Sequence, residues 1–449
     1  MVRTFTRPVS ALGLALLLGA VVLGCAGPSA VGDRLTPLKR LRSRDERTPD
    51  ELKASVGWLD IEAQGAGRST IRTEDLLAFA EKARTSTKPP VPFPKKHILV
   101  VTGGGSYGAY PAGVLVGWTA TGTRPEFDVV TGISTGALLG AFAFLGSSED
   151  GELQRCYTTL RSSDIYRKNR LIPALLSESL ADSSPLNKVI HQVATDARIA
   201  RFAEEHRKGR RFYVGTTDLD ARRAVVWDMG AIAARDTPES RELFRKVLLA
   251  SASIPGFFPP VRIPVTVEGK RFVERHIDGG TTSSMFFAPP WVPHAEHEKL
   301  PVGWLYGSEV YVLVAGKMYP DPTPVKPRTF AIASNAISTI VYDQTRSDLH
   351  KLFLLTTMTG MNYNVSVIPT EVQSPLASTD FDPHEMSRLF SAGTQWAASG
   401  PKWRITPPGY EPGEGAKYRA GTVLTDIGRS TGGQLGPPSS PIPVIIPEK

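Results

Sequence analysis

The stretch Gly132-Ile133-Ser134-Thr135-Gly136 limits what this chain can fold into more than any other. It is a G-x-S-x-G segment set between an apolar run at 127–130 and a helix-favouring apolar run at 137–142. A serine on so sharp a strand-to-helix turn holds a sparsely populated backbone conformation that costs roughly 1–3 kcal/mol. Positions two residues away on each side then approach closely, so Gly132 and Gly136 keep that space open. The helix that follows aims its first N–H groups and its dipole at the serine. The pattern predicts a nucleophile elbow with Ser134 at its tip.

A second glycine-rich turn lies upstream. Residues 97–102, rich in β-branched side chains, read as a strand that runs into Gly103-Gly104-Gly105-Ser106-Tyr107-Gly108, and residues 109–118 read as a helix with Pro111 in its first turn. The turn also fits G-x-G-x-x-G. A dinucleotide site needs an acidic residue at the end of the next strand, about 20 residues on, whereas Glu126 and Asp128 stand at its start. From Gly103 to Ser134 is about one βαβ unit of roughly 30 residues, whose right-handed crossover puts both turns at the same end of neighbouring parallel strands. There the N–H groups of Gly104, Gly105 and Ser106 can converge on the oxygen of a tetrahedral intermediate.

The third element is a strand pattern at 271–278 that ends in Asp278-Gly279-Gly280. A carboxylate at a strand end before two glycines is free to face a serine. The ordered set G-G-G-x-x-G, G-x-S-x-G and D-G-G resembles the patatin-like phospholipase family, and the segment 248–261 (LLASASIPGFFPPV) is similar to one that family carries before its aspartate. The resemblance spans about residues 95 to 400. It implies a three-layer α/β/α fold with a mostly parallel central sheet, Ser134 as nucleophile, Asp278 as its base, and Gly104, Gly105 and Ser106 as oxyanion donors. Gly103, Gly108, Gly132, Gly136, Gly279 and Gly280 are the motif glycines. The implied activity is hydrolysis of carboxylic esters of membrane lipids, of the phospholipase A or lysophospholipase type, through a Ser-Asp dyad and an acyl-enzyme, with no cofactor and no metal. An acyltransferase, or a non-catalytic envelope lipoprotein that binds through the same scaffold, are the alternatives. Tyr107 stands where the family usually has Arg or Lys.

The rest of the chain sets bounds. Of 449 residues, 41% are hydrophobic and 21% charged, ordinary for a globular chain with a large core. The formal charge of +8 fits attraction to anionic lipid, and the absence of zinc-finger spacing or an aromatic-rich RNA signature argues against nucleic acid. Only Cys25 and Cys156 are present, so there is no disulfide framework, and Cys156 reads as a buried hydrophobe on a helix at 152–161. His294 and His297, three residues apart in a Pro-rich stretch and without cysteine companions, read as solvated. Asp218 and Asp220 read as turn residues, and His276, His350 and His384 as structural.

At the N-terminus, Arg3 and Arg7 precede an apolar run at 11–23 that is too short for a comfortable span of about 20 residues. Val22-Leu23-Gly24-Cys25 resembles a bacterial lipobox. The expected organisation is therefore a lipoprotein signal at 1–24, a lipidated Cys25 with a flexible tether and a helix at 73–82 within 25–94, the hydrolase domain at 95–400, and a Pro/Gly-rich tail at 401–449. The expected partners are a phospholipid or other acyl ester and a bacterial envelope membrane, the outer more than the inner.

Overall fold

The α/β reading is met by a mixed, mostly parallel eight-stranded sheet with helices on both faces. The computed structural model describes residues 95–169, 178–267, 270–287, 305–321, 324–373, 377–410 and 414. The leader, Cys25, the tether with its helix at 73–82, His294, His297 and the tail beyond 414 lie outside the described residues.

Strands β1 (His97–Val101), β2 (Val129–Ile133), β5 (Arg211–Asp218), β9 (Glu309–Lys317) and β10 (Asn362–Ile368) run parallel in the order β10-β9-β1-β2-β5. On the far side of β5 the sheet turns antiparallel, with β6 (Arg223–Asp228) and β8 (Lys270–Asp278) both on β5 and β7 (Val261–Val267) on β8. A separate two-stranded ribbon pairs β3 (Arg167–Lys168) with β4 (Ala181–Asp182).

Side chains alternate across the sheet with the two-residue period of a strand. Leu99, Val101, Val130, Phe212 and Val214 face one core, and Ile98, Val100, Val129 and Tyr213 face the other. The first core receives α1 (Ala109–Ala120), α2 (Thr135–Leu145), α3 (Asp150–Thr158), α4 (Ser184–Val193), α5 (Asp196–Arg207), α6 (Met229–Ala234), α7 (Pro238–Ser251) and α9 (Pro383–Ala398). The second is closed by α8 (Thr329–Thr359), through Leu349, Leu352 and Leu355.

The apolar pattern that runs from 186 to 202 is divided between α4 and α5, because Thr195 leaves the helix and its side chain caps the Arg198 N–H. β8, despite its charged side chains, lies inside the sheet between β5 and β7. Arg275 pairs with Asp220 at 2.5 Å, and Glu274 with the fully buried His276 at 3.1 Å. Residues 401–410, assigned to the tail, pack on the domain. Trp403 meets Trp118 at a centroid distance of 4.9 Å, and the Val365 N–H donates to the Arg404 carbonyl at 2.8 Å.

Candidate active site

The elbow is built where β2 gives way to α2. Ser134 has φ 55° and ψ −127°, a left-handed conformation rare for a residue with a side chain. A Cβ on Gly132 would lie 2.3 Å from the Gly136 carbonyl oxygen, so the two glycines do stand against each other. Gly136 is also hemmed in by β1: its Cβ would meet the carbonyl oxygens of Val101 and Thr102 at 2.5 Å. The Ser134 side chain does not cap α2, although Ser134 holds the N-cap position. Its hydroxyl is instead close enough to Asp278 to favour the charged form of that carboxylate.

Asp278 ends β8, which register sets opposite Thr216 of β5, one residue beyond the Gly215 that pairs with Ile133 of β2. Two backbone bonds fix the residue. Its own N–H donates to the Ser253 carbonyl at 2.8 Å, and its Oδ1 accepts from the Gly280 N–H at 2.7 Å. A Cβ on Gly279 would sit 2.6 Å from the Gly215 carbonyl oxygen, so the first glycine after the aspartate lets the chain turn tightly over β5. Burial pushes the Asp278 carboxyl up to about 6, against the Ser134 hydroxyl and the Gly280 N–H, which favour its charged form.

The Gly-rich loop leaves β1 beside the elbow. A Cβ on Gly103 would come within 3.2 Å of the Ser134 Cβ. One on Gly104 would lie 2.0 Å from the Ala315 carbonyl oxygen of β9, and one on Gly105 would lie 1.9 Å from the Ser378 carbonyl oxygen. Gly105 also has φ +56°, which glycine alone adopts without strain. Gly108 abuts Thr135 and Tyr157 on the other side of the turn.

The three expected donors are not equivalent. The Ser106 N–H is occupied, donating to the Ser378 carbonyl at 2.9 Å, so it does not face the serine as an open donor. Among the described residues the N–H groups of Gly104 and Gly105 have no acceptor. Tyr107 is half-buried, and desolvation, helped by Tyr342, Asp321 and Asp380, pushes its hydroxyl up to about 12, so it stays protonated.

The other candidates are structural. Asp218 accepts from the N–H groups of Asp220 and Ala221 at 3.2 Å, closing a turn. His276 is held between Glu274 and Thr216, each at 3.1 Å; His350 Nδ1 lies 2.7 Å from the Arg346 carbonyl within α8; and His384 is exposed beside Glu385. Cys156 is buried, and desolvation pushes its thiol up to about 11. The loop at 254–258 is a packing element: Phe258 is in the core, and Phe257 stacks edge-on against Tyr166 at 4.9 Å.

Sequence reasoning missed two supports. Ser251 accepts from the Ser134 N–H at 2.9 Å, and Asp348 of α8 accepts from the N–H of Ser284 at 2.9 Å in the loop after Asp278. Ser251 sits in the 248–261 segment, so only its residue type was visible. Nothing local marks Asp348. Among the described residues there is no cluster of His, Cys, Asp or Glu placed to hold a metal ion.

The family described as patatin-like phospholipase matches residues 99–291, a span that holds the Gly-rich loop, Ser134 and Asp278. Among solved structures, VipD from Legionella pneumophila is similar over 70% of this chain and 69% of its own, at 13% identity and a TM-score of 0.35. No curated protein matches the chain. Over residues 99–291 this chain is thus similar to the patatin-like phospholipase family.

Proposed function

We propose that the protein is a serine lipid acyl hydrolase in which Ser134 and Asp278 act as a dyad on carboxylic esters of membrane lipids. The family supports lipid acyl hydrolysis in general. The observation that carries the finer reading is a serine held at a strained elbow beside a buried carboxylate, Asp278, whose charged form the Ser134 hydroxyl favours. A carboxylate raised to about 6 is ionised at neutral pH yet more basic than an ordinary aspartate, as a general base requires.

Asp278 takes the hydroxyl proton as Ser134 Oγ attacks the ester carbonyl carbon. The oxyanion then meets the open N–H groups of Gly104 and Gly105, each worth about 2.7–4 kcal/mol of barrier. Collapse breaks the ester C–O bond, and Asp278 returns its proton to the leaving alkoxide. Water then gives a proton to Asp278 and attacks the acyl-enzyme, and that proton goes back to Ser134 Oγ as the fatty acid leaves.

The test is labelling with a fluorophosphonate probe. Wild type should label and Ser134→Ala should not; a folded wild type that stays silent would favour the binding-only alternative. The lipobox match extends the proposal to a lipid anchor at Cys25 in a bacterial envelope, outer membrane more than inner. Cys25→Ser should lose palmitate labelling and membrane fractionation, and unchanged fractionation would remove the anchor.

A further inference from the structure

Helix α8 is two helices in one. Its C-terminal half is built into the domain, with Leu349, Leu352 and Leu355 in the second core and the Tyr363 hydroxyl donating to the Leu349 carbonyl at 3.3 Å. Its N-terminal half stands clear: residues 332–341 are all exposed. That half carries no charged side chain from Thr329 to Tyr342. At 3.6 residues per turn, Ile332, Ala333, Ala336, Ile337, Ile340 and Val341 share one side, while Ser334, Asn335, Ser338 and Thr339 share the other. Ile332, Ile337 and Ile340 are 55%, 62% and 64% exposed, an unusual state for three isoleucines on one face.

We propose that this face of α8 is the surface by which the domain docks on a phospholipid bilayer, lying in the interface with its isoleucines among the acyl chains. The proposal rests on the lipid-hydrolase reading above. Three observations choose a bilayer as the occupant. First, the exposed Lys326 and Arg328 lead into the helix with no acidic residue from Pro322 to Tyr342. The flanking Asp321 and Asp343 are paired with Lys317 and Arg346, so among the described residues the unpaired charge that leads into the free half complements anionic headgroups. Second, the free half is about 20 Å long and about 10 Å across, offering about 200 Å² where a stable protein interface takes about 800 Å² from each partner. A second copy of the chain gains too little from this face alone.

Third, the same helix reaches the catalytic loops. Tyr342, where the free half ends, acts electrostatically on Tyr107 of the Gly-rich turn. Six residues further into the domain, Asp348 accepts from Ser283 Oγ at 3.0 Å and from the Ser284 N–H at 2.9 Å, and the Ser284 carbonyl accepts from the Gly103 N–H at 3.4 Å. A bilayer touching the isoleucines is therefore presented to the side of the site that the Gly-rich loop and the turn after Asp278 enclose.

The experiment uses the full chain in a Cys25→Ser background, where the buried Cys156 leaves an introduced thiol as the reactive one. An environment-sensitive fluorophore is attached at Ile337→Cys or, as a control, at the exposed Glu239→Cys. Vesicles of phosphatidylcholine and phosphatidylglycerol, with and without bromine in the acyl chains, are the probe. Bromolipid should quench the label at position 337 and spare that at 239. In Ile337→Asp/Ile340→Asp, the ratio of vesicle to soluble short-chain ester turnover should fall at least tenfold. A label at 337 that stays in water when vesicles are bound, or is already shielded before they are added, overturns the proposal. So does a variant that converts a dimer to monomer with the ratio unchanged. Absence of soluble-ester turnover in wild type would instead remove the hydrolase reading, and quenching at 337 would still report the docking.

Discussion

The backbone N–H of Ser134 donates to Ser251 Oγ at 2.9 Å, and that hydroxyl donates onward to the Gly215 carbonyl at 2.7 Å. One side chain from the end of α7 thus ties the strained elbow to the neighbouring strand β5.

Removing it should loosen the elbow. Ser251→Ala leaves a buried N–H and a buried carbonyl without their partner, a cost of about 1–3 kcal/mol in unfolding free energy. Ester turnover should drop more than tenfold, because the attacking oxygen is aimed by that backbone. Ser253→Ala is the control, since its hydroxyl only back-bonds to the Leu249 carbonyl at 2.8 Å and its own carbonyl still holds Asp278. Chemical denaturation and steady-state kinetics on the two variants separate the effects.

Asp278→Asn should abolish turnover and yet stabilise the fold at neutral pH. The folded carboxyl sits at about 6, above the unfolded reference of about 3.9, so the stability this group contributes is complete below that reference and is lost as pH rises through about 6. Relative to wild type, the asparagine variant should gain up to about 3 kcal/mol at pH 8 and nothing at pH 4. Asp228 is likewise pushed up to about 6 by burial, so the difference between the two proteins, not the wild-type curve alone, isolates Asp278. Wild-type turnover should fall as pH drops through about 6, and unfolding free energies at both pH values check the stability arm.

Gly105→Ala should cost about 10²-fold in kcat or more, the size of one lost oxyanion donor. Its methyl would lie 1.9 Å from the Ser378 carbonyl oxygen and its φ of +56° disfavours alanine. Gly122→Ala has a similar φ of +69° but open space around it, so it should cost about 1 kcal/mol of stability and leave kcat alone. Equal kinetic effects in the two variants would count against the Gly-rich loop as the oxyanion site.

No histidine should be essential. His350→Ala and His384→Ala should keep kcat within about tenfold, a barrier change of roughly 1.4 kcal/mol. His276→Gln should lose stability rather than rate, since His276 is the buried partner of Glu274. A folded histidine variant as inactive as Asp278→Asn would make the site a triad.

The parallel strands beside the site were legible because they are short apolar runs that feed glycine turns: 97–102 holds His97–Val101, and 127–130 leads into Val129–Ile133. In the antiparallel half the strand pattern at 271–278 was legible as Lys270–Asp278, but its place inside the sheet was not. β8 carries Arg271, Glu274, Arg275 and His276, which by local pattern belong at an edge, and only partners distant in sequence, Asp220 for Arg275, let the strand go inside. The same holds at the site. Ser134, Asp278 and the glycines are marked by residue type and spacing, whereas Ser106 reads as a donor until Ser378, 272 residues later, takes its N–H. The apolar face of α8 left no clean period, because the helix turns one half to the core and the other to the outside.

The seating of β1 between β2 and β9 bears on where the protein can be cut. The span recognised as the family ends at residue 291, but β9, β10, α8 and α9 all follow it. A chain truncated there would leave β1 as a raw sheet edge, with its carbonyls and N–H groups open to self-pairing. It would also take away Ala315 and Ser378, which wall the Gly-rich loop. The span that matches the family is thus smaller than the unit that folds, and the described elements after residue 291 serve as scaffold for a proposed site whose residues all come before it.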